Sequence, residues 1–179
     1  LCAGSNATFT VTATGAGLTY QWRKAGVNIA GATSASYTIN NINATHAGSY
    51  DVVVTGTCGT VTSNIATLTV NTAPAITGQP VNLTLCAGSN ATFTVTATGT
   101  GLTYQWRKGG VNIGGATGAG YTINNISSGD AGSYDVVITG TCGTVTSVAA
   151  TLTVILPPAI TGQPANLTLC TGSNATFTV

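Results

Sequence analysis

Leu18-Thr19-Tyr20-Gln21-Trp22 alternates apolar and polar side chains, the period of a strand with one face in a core and the other in water. Ala7-Thr8-Phe9-Thr10-Val11 and Tyr37-Thr38-Ile39 alternate in the same way, and clusters of Gly and Asn separate the runs. No segment carries helical spacing. The reading is an all-β chain of short, half-buried antiparallel strands.

Working outward from these runs, the chain repeats itself with a period of 84 residues. Cys2, Cys86 and Cys170 align, as do Trp22 with Trp106, Tyr50 with Tyr134 and Cys58 with Cys142. Residues 1–84 differ from residues 85–168 at only 16 positions. The period exceeds the roughly 20 to 50 residues of solenoid units, so each copy is expected to fold as its own small domain. Proline at Asn71-Thr72-Ala73-Pro74 and Ile155-Leu156-Pro157-Pro158 interrupts strand pairing and marks the joints. The expected division is residues 1–72 as a repeat without its first strand, 73–156 as a complete repeat, and 157–179 as the first strands of a third. Residues 1–11 and 169–179 differ only at Ala3 and Thr171. The simplest account is a window on a continuous array; the sharper one has residues 157–168 completing the first domain of another chain by strand addition.

Composition narrows the function classes. Of the 179 residues 43% are hydrophobic, enough for cores, yet only 4% are charged and the formal net charge is +1, against about 25% charged in an ordinary soluble domain. Arg23, Lys24, Arg107 and Lys108 are the only basic residues besides His46, too few to neutralise a phosphate backbone, and a nucleic-acid partner is excluded. No stretch approaches the roughly 18 apolar residues of a membrane span, so membrane insertion is not expected. The surface must be Thr, Ser, Asn and Gly, and Thr suits strands because its β-branch fits the pleat.

The order of these landmarks resembles the immunoglobulin fold. A strand follows Gly4-Ser5, then come Tyr20-Gln21-Trp22, Tyr37-Thr38-Ile39 and His46-Ala47-Gly48-Ser49-Tyr50; the second copy reads Asp130-Ala131-Gly132-Ser133-Tyr134, the family's Asp-x-Gly-x-Tyr signature before strand F. More closely, the chain is similar to the Ig-like repeats strung along very large surface and secreted proteins of gliding, biofilm-forming Bacteroidota. The resemblance implies Greek-key β-sandwiches of about seven strands. It also implies core positions for Trp22 and Trp106 on strand C, and a tyrosine corner at Tyr50 and Tyr134. Filling a core is the far commoner use of such aromatics than stacking on sugars or bases. Where antibody domains carry their inter-sheet cystine, this sequence has Val11 and Val52, and Val95 and Val136. Each core must hold without the roughly 2 to 5 kcal/mol such a bridge contributes.

Placed on that topology, Cys2, Cys86 and Cys170 fall at the turn between strands A and B, and Cys58 and Cys142 at the tip of the F–G hairpin, at opposite ends of the sandwich. A strand of about ten residues separates the ends, whereas a disulfide needs Cα atoms within about 7 Å. In a head-to-tail array the A–B turn of one copy faces the F–G tip of the next. The expectation is therefore a Cys2–Cys142 staple, with Cys58, Cys86 and Cys170 pairing to neighbouring repeats. The alternative pairs Cys2 with Cys58 and Cys86 with Cys142 inside domains. Zinc is the weaker reading, since Cys-x-x-Cys pairs and His partners are missing.

Chemistry is not expected. The only acids are Asp51, Asp130 and Asp135, and the single His46 is replaced by Asp130 in the second copy, so no nucleophile–base set repeats and no catalytic or cofactor-binding residue is assigned. Three carboxylates cannot supply a calcium shell of six to eight oxygens, so no metal is assigned. Arg23-Lys24 and Arg107-Lys108 read as solvated strand residues. Asn-x-Ser/Thr sequons occur at Asn6, Asn43, Asn82, Asn90, Asn125, Asn166 and Asn174, many of them arising from composition alone.

Three functions compete. The leading one is a rigid spacer in an extracellular filament, stalk or adhesin, its partners being further copies of the repeat and, laterally, other chains. The second is a module binding a surface glycan or host protein through loops such as Gly31–Ser36 and Gly115–Gly120, which lack exposed aromatic or charged anchors. The third is an accessory region of a secreted hydrolase.

Overall fold

A computed structural model describes residues 1–178. Two β-sandwiches follow one another along the chain, with no α-helix among the described residues. The first contains β1 (Ala7–Thr10), β2 (Thr19–Lys24), β3 (Val27–Asn28), β4 (Ser36–Ile39), β5 (Gly48–Gly56), β6 (Gly59–Thr62) and β7 (Ala66–Leu68). The second begins with β8 (Ala75–Gly78) and β9 (Leu83–Cys86), which have no strand counterpart in the first, and continues with β10 (Ala91–Thr94) and β11 (Thr96–Thr98). It then repeats the order of the first: β12 (Thr103–Lys108), β13 (Val111–Asn112), β14 (Gly120–Ile123), β15 (Gly132–Gly140), β16 (Gly143–Thr146) and β17 (Ala150–Ile155).

In each sandwich one sheet pairs β1 with β4, or β10 with β14, antiparallel. The facing sheet runs β3-β2-β5-β6 with β7 also on β5, or β13-β12-β15-β17-β9 with β16 also on β15. The alternation read from Leu18–Trp22 is what sets the register. Trp22 faces Val52 and Trp106 faces Val136 across the antiparallel pairs, and all four are at most 3% exposed.

The cores are stacks of aromatic rings on a valine floor. Phe9 stacks on Tyr50 at 4.7 Å and Phe93 on Tyr134 at 4.8 Å, within the favourable range for ring pairs. Val52 and Val136, at the positions where antibody domains carry cysteine, are fully buried. Polar groups inside are satisfied: Ser147 is buried, accepts the Val136 N–H at 3.0 Å and donates to the Val148 carbonyl at 2.9 Å. Ser63 does the same for Val52 and Asn64 in the first copy. Strand G is interrupted beside this serine, between β16 and β17.

Two expectations need correction. The strands anticipated over residues 157–179 are not formed in the described part, residues 157–178, which are exposed and carry no strand; Val179 lies outside the described residues. A strand needs a partner for its backbone groups, and these residues meet none. The Gly31–Ser36 loop does not sit at an end of the sandwich. It lies along the edge of β2, where Trp22 donates its backbone N–H to the Ala32 carbonyl and its indole N–H to the Ser34 carbonyl. Ala32 is buried there, so the loop covers part of the core wall, while Gly31 and Thr33 to Ser36 stay exposed.

Candidate functional site at the domain junction

The site builds from the linker. Asn71 still belongs to the first sandwich: its N–H donates to the Leu1 carbonyl and its own carbonyl accepts from Ala3. Thr72, the next residue, already belongs to the second, since its N–H donates to Thr100 Oγ1 at 3.0 Å and its carbonyl accepts the Thr100 N–H at 3.1 Å. No unattached residue separates the two domains. Pro74 then lies against Gly99 and Gly140, where a Cβ would come within 2.9 Å and 3.4 Å of it respectively. Glycine is required at Gly99 on a second count, its φ being +145°, which side chains strongly disfavour.

Beside the linker stands a second connection. Cys2, in the turn before β1, is bonded to Cys142 at the β15–β16 tip, with Cα atoms 5.7 Å apart and 140 residues between them in sequence. The two tethers are adjacent at both ends: Cys2 pairs with Asn71 in an isolated parallel bridge, and Thr141 donates both N–H and Oγ1 to the Thr100 carbonyl. Paired tethers suppress free rotation about the linker bonds and leave bending about the line that joins them. Cys58, Cys86 and Cys170 are exposed free thiols. Cys58 stands at the β5–β6 tip and Cys86 ends β9, the places in their own sandwiches that Cys142 and Cys2 occupy in theirs.

The aromatic positions have defined partners. Tyr50 and Tyr134 are 2% exposed, and burial pushes the Tyr134 phenol up to about 12, with Tyr50 moved in the same direction. Trp106 donates its indole N–H to the Gly118 carbonyl at 2.9 Å, as Trp22 does to Ser34. All four rings are at most 3% exposed.

The charged residues are placed differently from the solvated reading of Arg23-Lys24 and Arg107-Lys108. Arg23 makes a two-pronged bond to Asp51, Nε–Oδ1 2.8 Å and Nη2–Oδ2 2.7 Å, and Arg107 repeats it on Asp135. The Arg23 guanidinium holds the Asp51 carboxyl below its ordinary range. Lys24 and Lys108 reach the Thr45 and Gly129 carbonyls and pass over the Tyr50 and Tyr134 rings at 5.9 Å and 5.7 Å. Asp130 accepts the Ser127 N–H, which lowers its pKa, so it is a corner residue. Among the described residues no group of three or more His, Cys, Asp and Glu comes together to hold a metal.

Sequence reasoning missed these ion pairs because Arg23 and Asp51 lie 28 residues apart and meet only once the register of β2 on β5 is known. The repetition of both residues at the 84-residue period was the available signal.

A family described as "Domain of unknown function (DUF8696)" matches residues 1–72. Endoglucanase C of Cellulomonas fimi is 36% identical over 114 residues, 60% of this chain and 10% of that protein; the chain thus spans about a tenth of that relative's length. Among solved structures, the I-band fragment I67–I69 from titin superposes with a TM-score of 0.76 at 20% identity, over 91% of this chain and 64% of that one. Drosophila OTK extracellular domains 3–5 give 0.63 at 19% identity, over 87% and 58%, and the N-terminal four Ig domains of Dscam1 isoform 8.4 give 0.61 at 20% identity, over 86% and 42%. At these identities the likeness is one of fold, and the fold is an immunoglobulin-like β-sandwich occurring twice.

Proposed function

We propose that the chain is a spacer: a repeat segment of a secreted or surface-displayed filament, stalk or adhesin, whose task is to hold length and direction outside the cell. The observation that carries this reading is the double connection at the junction, the Thr72–Pro74 linker seated on the second sandwich and the Cys2–Cys142 bond beside it. A second tether adds nothing to catalysis and everything to stiffness. By the 84-residue repeat, Cys58 pairs with the preceding repeat, and Cys86 and Cys170 with following ones, so the staple recurs along an array of the kind found in large Bacteroidota surface proteins. Disulfides persist in oxidising compartments, which accords with an extracellular setting. No residue is assigned a catalytic role.

The test is interdomain distance measured by small-angle scattering and by paired spin labels, one on each sandwich, with the disulfide intact and in Cys2→Ser/Cys142→Ser. A narrow distribution that broadens on loss of the bond supports a stiffened rod. Equal breadth in both states would sink the reading.

A second reading rests on the Endoglucanase C match: an accessory or glycan-binding region of a larger hydrolase. Retention on insoluble polysaccharide, with the junction disulfide irrelevant to it, would favour that role over the spacer.

A further inference from the structure

The bond at the junction changes the route by which tension crosses the chain. Along the backbone Cys2 and Cys142 are 140 positions apart, whereas through the bond their Cα atoms are 5.7 Å apart. Everything from Ala3 to Thr141, the segment that holds β1 to β15, is therefore a side loop on the shortest covalent path. That path leaves Cys142 and continues through strand G alone, first β16 and then β17, to Ile155.

Strand G is already drawn out along the sandwich. Gly143 pairs with Gly140 at the end nearest the junction, and Leu152 pairs with Gly132 further on. Nine peptide steps of strand G thus cover eight of β15, so the interruption beside Ser147 stores one residue of slack. The last part stays extended against β9, pairing in parallel from Leu152 on Leu83 to Ile155 on Cys86. A strand rises about 3.3 Å per residue and a fully stretched chain at most about 3.6 Å, so freeing the whole of strand G gains on the order of 10 Å.

We propose that the Cys2–Cys142 bond and strand G form one continuous tension-bearing strap, on which β1 to β15 hang as folded loops whose unfolding releases almost no length. An applied force favours an unfolded state only by the extension that unfolding provides, so a load along this path does little to tilt the second sandwich toward opening. With the backbone linker as the only connection, residues 3–141 would instead release roughly 500 Å of chain once their sandwiches opened. The strap does not rest on the spacer reading. A junction that bends freely is still inextensible if the strap is taut, and a stiff junction could still lie on a slack path.

The same path decides which backbone breaks matter. A cut between Gly109 and Gly110, in the turn from β12 to β13, falls in the side loop, and its two pieces stay joined through Cys2–Cys142. A Cβ at either glycine meets nothing within 4 Å, so the turn has room for an inserted protease site. A cut between Val148 and Ala149 falls between β16 and β17 and severs the strap. It leaves the downstream piece held only by the pairing of β17 on β15 and β9.

The test pulls the full chain in optical tweezers from handles fused at its two ends, with the exposed Cys58, Cys86 and Cys170 changed to Ser. The bonded chain is expected to show no unfolding step larger than about 10 Å, whereas Cys2→Ser/Cys142→Ser unfolds in steps that total roughly 500 Å. The segment beyond Ile155 is common to both and cancels. Where the bond's loss alone prevents folding, protease sites in the bonded chain supply the second measurement. Cleavage at a site inserted between Gly109 and Gly110 should leave length and strength under load unchanged, and cleavage at one inserted between Val148 and Ala149 should let the chain part at low force. A bonded chain that lengthens stepwise by tens of ångströms, equal extension with and without the bond, or parting as readily after the first cut as after the second would each overturn the proposal. Breadth of the interdomain distances, which decides the spacer reading, enters none of these outcomes.

Discussion

Tyr50 donates its hydroxyl to the His46 carbonyl at 2.7 Å, and Tyr134 does the same to Asp130 at 2.7 Å. The acceptor is main chain in both, which explains how the position can be His in one copy and Asp in the other without disturbing the corner. Tyr50→Phe and Tyr134→Phe remove a donor from a part-buried carbonyl and should each cost about 1 to 2 kcal/mol. For a domain of this size that lowers the midpoint by roughly 4 to 8 °C per kcal/mol. His46→Asp should leave the stability within about 0.5 kcal/mol of the parent. Calorimetry on the three variants decides it.

Acid should weaken the first sandwich through Asp51. Its pKa is lowered in the fold, chiefly by the hydrogen bond from Arg23, so the folded state binds the proton less readily than the unfolded one. The contribution is present above the unfolded value near 3.9 and is lost as pH falls through the folded value. Asp51→Asn should lower the melting temperature slightly at pH 7 and not at pH 2. Equal differences at both pH values would mean the ion pair contributes nothing beyond its hydrogen bonds.

How much of this was readable in advance depends on the range of the interaction. Leu18–Trp22 and the Gly-Ser-Tyr of residues 48–50 declare strand, turn and core by local period and type, and the aromatic stack follows from them. The Arg23–Asp51 pair depends on register between strands remote in sequence. The path of Gly31–Ser36 depends on where the indole N–H of Trp22 finds an acceptor, which glycine content cannot tell. The asymmetry between two near-identical sandwiches comes from which strands lie on each core, and the 84-residue alignment already gave residues 1–72 as a copy without its first strand.

The junction should be sensitive to one methyl group. A Cβ on Gly140 would stand 3.0 Å from the Thr100 carbonyl and 3.4 Å from Pro74 Cδ; on Gly56, its counterpart, it would meet the Ala16 carbonyl and Leu18 at 3.2 Å, and no proline. Gly140→Ala therefore presses on the linker as well as on its own sandwich. It should destabilise by about 1 to 3 kcal/mol, the usual cost of overpacking, and broaden the interdomain distance distribution. Gly56→Ala should leave that distribution unchanged. If the two variants broaden it alike, Pro74 is not what positions the linker.

The unequal cores predict unequal stability. Ile76, Leu83 and Leu85 pack only on the second sandwich, and even partial burial of three such side chains contributes about 3 kcal/mol. The exposed flank of the first also leaves Ala66 and part of Phe9 in water. Thermal unfolding at low concentration should therefore show two steps, with the first sandwich melting earlier. Hydrogen exchange should run faster in β5 than in β15, although Tyr50, Val52 and Val54 are as deeply placed in their strand as Tyr134, Val136 and Ile138 in theirs. The Cys2–Cys142 bond does not remove this difference, because it fastens one end of the first sandwich and leaves its open flank uncovered. Matching exchange rates in β5 and β15 would show that β8 and β9 add little to the core they cover.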